Sequence, residues 1–168
     1  VLCVLRGKAL MHEFLAQLTD TIRTAAAGRK PLRIRGGGSK DFYGGALRGE
    51  TLGVAAYCGI IDYEPSELVI TARAGTPLAE IENSLRDKGQ MLAFEPPHFG
   101  PATVGGAVAS GLAGPRRLAA GPIREFVLGA RLLDAAGQVL KFGGRVMKNV
   151  AGYDIARVLA GSMGTLGV

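Results

Sequence analysis

Three consecutive glycines, Gly36 to Gly38, follow the alternating stretch Leu32-Arg33-Ile34-Arg35 and lead into Ser39, Lys40 and a second pair, Gly44 and Gly45. A glycine inside an element costs about 0.5–1 kcal/mol relative to alanine, so a run of three belongs to a loop that takes positive φ or approaches something closely. The residue recurs in separated clusters: Gly105 and Gly106, Gly111 and Gly114, Gly143 and Gly144, then Gly161, Gly164 and Gly167, within a total of 26 glycines in 168 residues. These keep no collagen-like period and fill no single low-complexity tract, so they mark several loops, not one linker. A hydrophobic content of 48% argues against disorder, because burial on that scale offsets the entropy of ordering. The length suits one well-buried domain and is short for two.

Periodicity places the elements around these loops. Phe14, Leu18, Ile22 and Ala26 recur every four residues between Glu13 and Ala27, with Leu15 and Ala25 widening the stripe and Gly28 ending it, which predicts an amphipathic helix. Residues 1–10 are read as an upstream extension before a start at Met11 and are set aside. Leu32–Arg35, Val54–Tyr57, Ile60–Tyr63 and Leu68–Ala72 are the next strand candidates. Thr76 is positioned to cap a helix that opens at Pro77, buries Leu78, Ile81 and Leu85, and stops near Gly89. Thr103 to Gly111 forms a short helix rich in small residues. Val127–Asp134 and Val139–Phe142 flank Ala135-Ala136-Gly137-Gln138 as a hairpin, Asp154–Ala160 is helical, and Gly161–Val168 begins a strand. The mixture is that of an α/β or α+β fold. Because the last residues are apolar with no polar tail, the expectation is a fragment whose sheet is incomplete.

The net charge of +6 makes an anionic ligand worth testing. Nucleic acid is disfavoured: the basic residues are scattered outside the first glycine loop and Arg116-Arg117, and aromatics are 6% of the chain with no Trp, which leaves few stacking platforms. Cys3 and Cys58 stand far apart without a partner spacing, as free structural thiols of a reduced compartment would. With His12 and His98 they complete no metal-ligand pattern, so no metal site is expected. Val1–Leu5 is too short for a membrane span.

Two familiar nucleotide loops are excluded by inspection. The chain has no Gly-x-Gly-x-x-Gly and no glycine loop ending in Gly-Lys-Ser or Gly-Lys-Thr. A run such as Gly36-Gly37-Gly38-Ser39 can still turn successive N–H groups inward as an anion nest, with Arg35 and Lys40 favouring negative charge nearby. The bland alternative is a glycine-rich turn. Likewise the small residues from Thr103 to Gly111 fit either a flat ligand laid on backbone or close packing of a helix on a neighbouring element.

The stretches "PLRIRGGGSK", "ELVITARAGTPLAEIENSLRDKGQMLAFEPPHFGPATVGGAVASGLAGPRR" and "VMKNVAGYDIARVLAGSMGTLGV" together resemble the FAD-binding domain of the vanillyl-alcohol-oxidase type, also called PCMH-type. Within that family the chain looks most like the FAD-binding subunits of bacterial glycolate oxidases. The resemblance implies an α+β fold of two subdomains with FAD between them: a small one over about 11–57 and a larger, incomplete one over about 58–168. It implies that Arg35, Gly36, Gly37, Gly38 and Ser39 cradle the pyrophosphate through backbone N–H groups. Pro97, Thr103, Val104, Gly105, Gly106, Ser110 and Gly111 would line the flavin and its ribityl chain. Gly164 and Val168 would lie near the adenosine end.

Three departures from the pattern matter. Ser39 stands where flavinylated relatives carry a histidine, so the FAD is expected to be non-covalent. Ala107 and Gly111 replace two amide residues of the related D-2-hydroxyacid dehydrogenases, and Met163 replaces an acidic one. The resemblance implies oxidation of glycolate or a related 2-hydroxy acid to the 2-oxo acid, beside a second, catalytic flavin subunit and an iron–sulfur subunit that takes the electrons. It implies a cytoplasmic protein, held at the inner face of the membrane only through partners. The alternative is a non-catalytic subunit that holds FAD or assembles the complex. No catalytic residue is nominated: His98 is a lone histidine beside two prolines, and Lys148 and Tyr153 fit packing or capping as well as catalysis.

Overall fold

The chain alternates helices with short paired strands, and the computed structural model describes residues 8–46, 48–144 and 154–168. Cys3, Lys148 and Tyr153 lie outside the described residues. Helix α1 (Lys8–Ala27) buries Met11, Leu18, Ile22 and Ala25, while Ala26 is exposed. A strict four-residue spacing overshoots a helix of 3.6 residues per turn, so after Ile22 the buried position falls at 25 and not at 26. The helix also begins upstream of Met11, so part of the stretch set aside belongs to the fold.

Strand β1 (Leu32–Arg35) pairs in parallel with β2 (Glu50–Gly53), Arg33 opposite Thr51 and Arg35 opposite Gly53. Leu32, Ile34, Leu52 and Val54 share a core with Leu18 and Ile22 of α1. Alternation along the strands therefore sends Arg33, Arg35, Thr51 and Gly53 to the opposite face. The strand expected at Val54–Tyr57 is displaced: Val54 N–H donates to Arg35 O and extends the ladder by one residue, then the chain turns as Tyr57 N–H donates back to Val54 O. Glu-Thr-Leu-Gly has one large apolar residue and no strand pattern of its own, so its ladder partner makes it a strand.

Strands β3 (Ile60–Glu64) and β4 (Val69–Ala72) form an antiparallel pair around a 3₁₀ turn at Pro65–Glu67. Leu68, expected at the start of β4, instead takes φ 56° at the end of that turn. Helix α2 (Leu78–Arg86) buries Leu78, Ile81 and Leu85, and Gly89 follows at φ 68°. Thr76 does not cap it. Its hydroxyl donates to Arg73 O at 2.7 Å and accepts from Gly59 N–H at 2.9 Å, tying the β3 and β4 ends together, and Pro77 occupies the cap position without a side-chain bond.

Helix α3 (Val104–Ser110) is capped by Thr103 and closed by Gly111 at φ 66°. Ala107 joins Leu78, Phe94, Ala102 and Ile123 in a second core. After α4 (Arg117–Ala120), β5 (Gly129–Leu133) and β6 (Val139–Gly143) form the expected hairpin, its turn held by Asp134, whose carboxylate accepts from the N–H groups of Ala136 and Gln138. Helix α5 (Ile155–Val158) is capped by Asp154. The segment 161–168 runs as successive turns, and only Val168 is strand-like, exchanging hydrogen bonds of 2.7 and 2.9 Å with Leu133. Leu133 and Val168 both pack in the first core. Cys58 is buried and disulfide-bonded, against the expectation of a free thiol, since sequence separation does not report separation in the fold. No described helix is long and apolar enough to cross a membrane. The fold is α+β.

Candidate functional site

The loop after β1 is the most donor-rich stretch of backbone near the parallel pair. Gly36, Gly37, Gly38 and Ser39 are half-buried, and among the described residues none of their N–H groups donates to a protein acceptor. Four successive donors without a protein acceptor beside a strand end form a cradle for an anion, since successive backbone N–H groups can converge on one ligand. The loop's shape is fixed from below. Arg35 Nε donates to Asp41 Oδ2 at 2.8 Å, joining the residues on either side of the loop. Gly38 takes φ 74° and lies on that guanidinium, so that a Cβ would come within 2.6 Å of Arg35 Cζ.

The glycines also allow close approach. A Cβ on Gly37 would fall on the carbonyl oxygen of Pro101, and one on Gly36 would come within 2.5 Å of Thr103 Oγ1. The segment ending in the α3 cap is therefore packed directly on the glycine loop, which brings together two of the three groups of site residues expected from sequence. Phe42 and Phe99, both exposed, meet edge to face at 5.4 Å between ring centres and join the same two segments on the outside.

The backbone of the second group is differently used. Val104 N–H donates to Thr76 O, Gly105 N–H to Ala74 O, Gly106 N–H to Thr103 Oγ1 and Ala107 N–H to Thr103 O. A Cβ on Gly105 would sit 2.8 Å from both the carbonyl oxygen and the Cβ of Ala74. Ser110 is buried and donates to Ala107 O of its own helix. Gly111 packs on Gly161, and Gly161 and Met163 donate to Val108 O and Ala109 O. Pro97 is half-buried in the loop before α3. In the third group, a Cβ on Gly164 would lie 2.9 Å from Ile34 Cδ1, beside β1, whereas Val168 is tied to Leu133 in the first core. His98 Nε2 is 2.9 Å from Glu82 Oε1, so the lone histidine is engaged with α2.

Sequence reasoning missed one feature. An open hollow of about 310 Å³ is lined by Arg35, Gly36, Thr51, Gly53, Ala55 and Ala56, at the carboxyl ends of β1 and β2. In sheets with parallel strands that end is where ligands bind. Arg33 shares this face by alternation, and its Nε is buried without a hydrogen-bond partner among the described residues. Only the pairing of β2 exposes the hollow, and β2 carried no signal of its own.

The donor set suits a dinucleotide: backbone N–H groups and hydroxyls for a pyrophosphate, and glycines where a Cβ would fill the space. Over 157 residues the chain is 53% identical to the glycolate oxidase subunit GlcE of Escherichia coli K12, covering 93% of this chain and 45% of that protein. It is 30% identical over 138 residues to the D-2-hydroxyglutarate dehydrogenase of Xanthomonas citri pv. viticola, covering 80% of this chain and 29% of that one. The chain thus spans less than half the length of these relatives. A solved structure of alkyldihydroxyacetonephosphate synthase superposes with a TM-score of 0.68 at 19% identity, over 91% of this chain and 30% of that one, which speaks for the fold alone. The family described as FAD binding domain matches residues 13–143, and with the α+β PCMH-type fold and the donor-lined glycine loop in place, the chain belongs to that family and its cofactor is FAD.

Proposed function

We propose that this chain holds FAD within a multi-subunit oxidoreductase that oxidises glycolate or a related 2-hydroxy acid to the 2-oxo acid. The observation that carries the cofactor's placement is the row of four unsatisfied N–H groups from Gly36 to Ser39, and the 53% identity to a glycolate oxidase subunit supports the substrate class. FAD, when bound, supplies the hydride acceptor. The chain's residues bind and orient it. Gly36, Gly37, Gly38 and Ser39 receive the pyrophosphate, with Arg35 beneath them. Pro97, Thr103, Val104, Gly105 and Gly106 offer a surface of small and apolar groups to the flavin side, and Gly164 lets the third segment lie against β1 near the adenosine side. Ser110, Gly111 and Val168 also tie these segments together, through Ala107, Gly161 and Leu133. Ser39 offers a hydroxyl and cannot form a histidyl link, so the flavin is held non-covalently. Acid precipitation of the purified protein releases all the yellow colour; colour that runs with the polypeptide on a denaturing gel would overturn the assignment.

The electrons leave through partners, a second flavin subunit and an iron–sulfur subunit, in a cytoplasmic complex that meets the membrane only through them. One observation favours a second reading, in which this subunit keeps FAD without oxidising the acid itself. The N–H groups of residues 104–107 are all occupied by protein acceptors, which leaves the start of α3 no spare backbone donor for the charge that develops on a reduced flavin. The visible spectrum of the purified full chain separates the two. Flavin bands that bleach on adding glycolate establish oxidation in this subunit; bands that persist until the partner subunits are added assign it the holding role.

A further inference from the structure

Three side-chain charges surround the glycine loop, and they are not equivalent. Arg35 and Asp41 neutralise one another through the 2.8 Å contact, with Gly38 lying on the guanidinium. Lys40 is left over. It is half-buried at the end of the loop, its Nζ donates only to Ser39 Oγ at 3.4 Å, and it has no carboxylate partner among the described residues. Burial holds its pKa below that of a free lysine, the mark of an ammonium that has lost water without gaining an opposite charge. Ser39, the acceptor of that weak bond, also belongs to the row of N–H groups without a protein acceptor.

We propose that Lys40, and not Arg35, supplies the positive charge that meets the FAD pyrophosphate at the glycine loop, while Arg35 is a positioning residue that holds the loop's shape through Asp41. The proposal rests on the assignment of the pyrophosphate to residues 36–39. Arg35 already has a carboxylate at its Nε, which offsets its charge, and a glycine backbone packed on its guanidinium. Lys40 breaks no contact stronger than a 3.4 Å bond to a hydroxyl. An anion placed on the N–H row would satisfy four backbone donors and a desolvated ammonium together, and charge-assisted bonds of this kind are about twice as strong as neutral ones.

The test titrates the apo form of the purified full chain with FAD and follows flavin fluorescence, with apo melting temperatures measured in parallel. Lys40→Met weakens FAD binding about tenfold at low salt and flattens the loss of affinity seen in the parent as salt rises from about 50 to about 500 mM. Lys40→Arg restores most of both. Wild-type affinity in Lys40→Met overturns the proposal, and so does weaker binding with an unchanged salt slope that Lys40→Arg fails to rescue, because that pattern belongs to a merely structural side chain. Where Lys40→Met lowers the apo melting temperature, Lys40→Gln takes its place in the same comparison. Gly38→Ala runs alongside. If it loses FAD while Lys40→Met does not, the lysine's role falls and the loop assignment stands; if neither variant changes FAD affinity, the loop assignment falls too.

Discussion

At residues 36–39 four successive N–H groups have no protein acceptor, whereas at residues 104–107 all four are taken, by Thr76 O, Ala74 O and the two oxygens of Thr103. Both stretches carry adjacent glycines, and in both a Cβ would collide with a neighbour. The difference lies in what the backbone is left free to do. At 104–107 glycine lets a helix start press against the loop after β4, and the donors are consumed in making that contact. At 36–39 glycine also allows contact, with Pro101 and Thr103, but that contact leaves the donors unspent. Glycine clustering alone therefore does not mark an anion cradle, and the cradle proposed for the pyrophosphate is the cluster whose donors are unspent.

The largest effect expected from breaking this comparison is at Gly105. Gly105→Val drives a branched side chain into the backbone of Ala74, and overpacking against backbone costs about 3 kcal/mol, or an apo melting temperature lower by about 6 to 12 °C. Its FAD content falls only in step with the unfolded fraction. A Gly105→Val protein that melts like the parent but no longer binds FAD would show that the bare backbone at 105 serves the flavin and not the packing on Ala74. Gly37→Val belongs with it, because the Pro101 carbonyl occupies the space its Cβ needs; loss of FAD there cannot be separated from loss of fold.

Gly38 is the cleaner probe of the first cluster. The atoms its Cβ would meet belong to the Arg35 side chain, which can move, and the φ of 74° costs a non-glycine residue about 1 kcal/mol. Gly38→Ala therefore lowers the apo melting temperature by only about 2 to 4 °C, yet weakens FAD binding about tenfold by disturbing the brace under the N–H row. Equal FAD affinity in parent and Gly38→Ala, measured by fluorescence titration, would show that the row does not hold the cofactor.

Much of this was legible in the chain itself. The α1 stripe, the β5–β6 hairpin, α3 with its Thr103 and Gly111 ends, and Gly89 after α2 all follow from local chemistry: apolar period, side-chain capping and the need for positive φ. What was not legible depends on partners distant in sequence. β2 exists because β1 lies beside it. Thr76 looks like a cap until Gly59 and Arg73 claim its hydroxyl. Gly161–Val168 reads as a strand, but its N–H groups at Gly161 and Met163 are drawn to the end of α3 and only Val168 reaches a strand. At the site, the glycine loop could be proposed from sequence, but the division of labour between the two clusters could not. It turns on which donors are already satisfied, and that is a property of the packed chain.

The smallest effect is expected at His98, and it sharpens the comparison from the segment that joins the two clusters. His98 lies between Pro97 and Phe99, close in sequence to the Pro101 that touches Gly37, and its Nε2 is engaged by Glu82 Oε1 at 2.9 Å with both side chains partly exposed, at 38% and 28%. Pairs this open are screened by water and contribute about 0 to 1 kcal/mol. His98→Gln keeps a donor toward Glu82, so the apo melting temperature shifts by no more than about 2 °C and FAD affinity stays within about twofold. If the histidine only anchors the segment to α2, any bleaching of the flavin by glycolate is equally unaffected. Should His98→Gln bind FAD and melt like the parent while bleaching slows about a hundredfold, the segment between the clusters carries a proton-transfer group, and its role as scaffold would have to be given up.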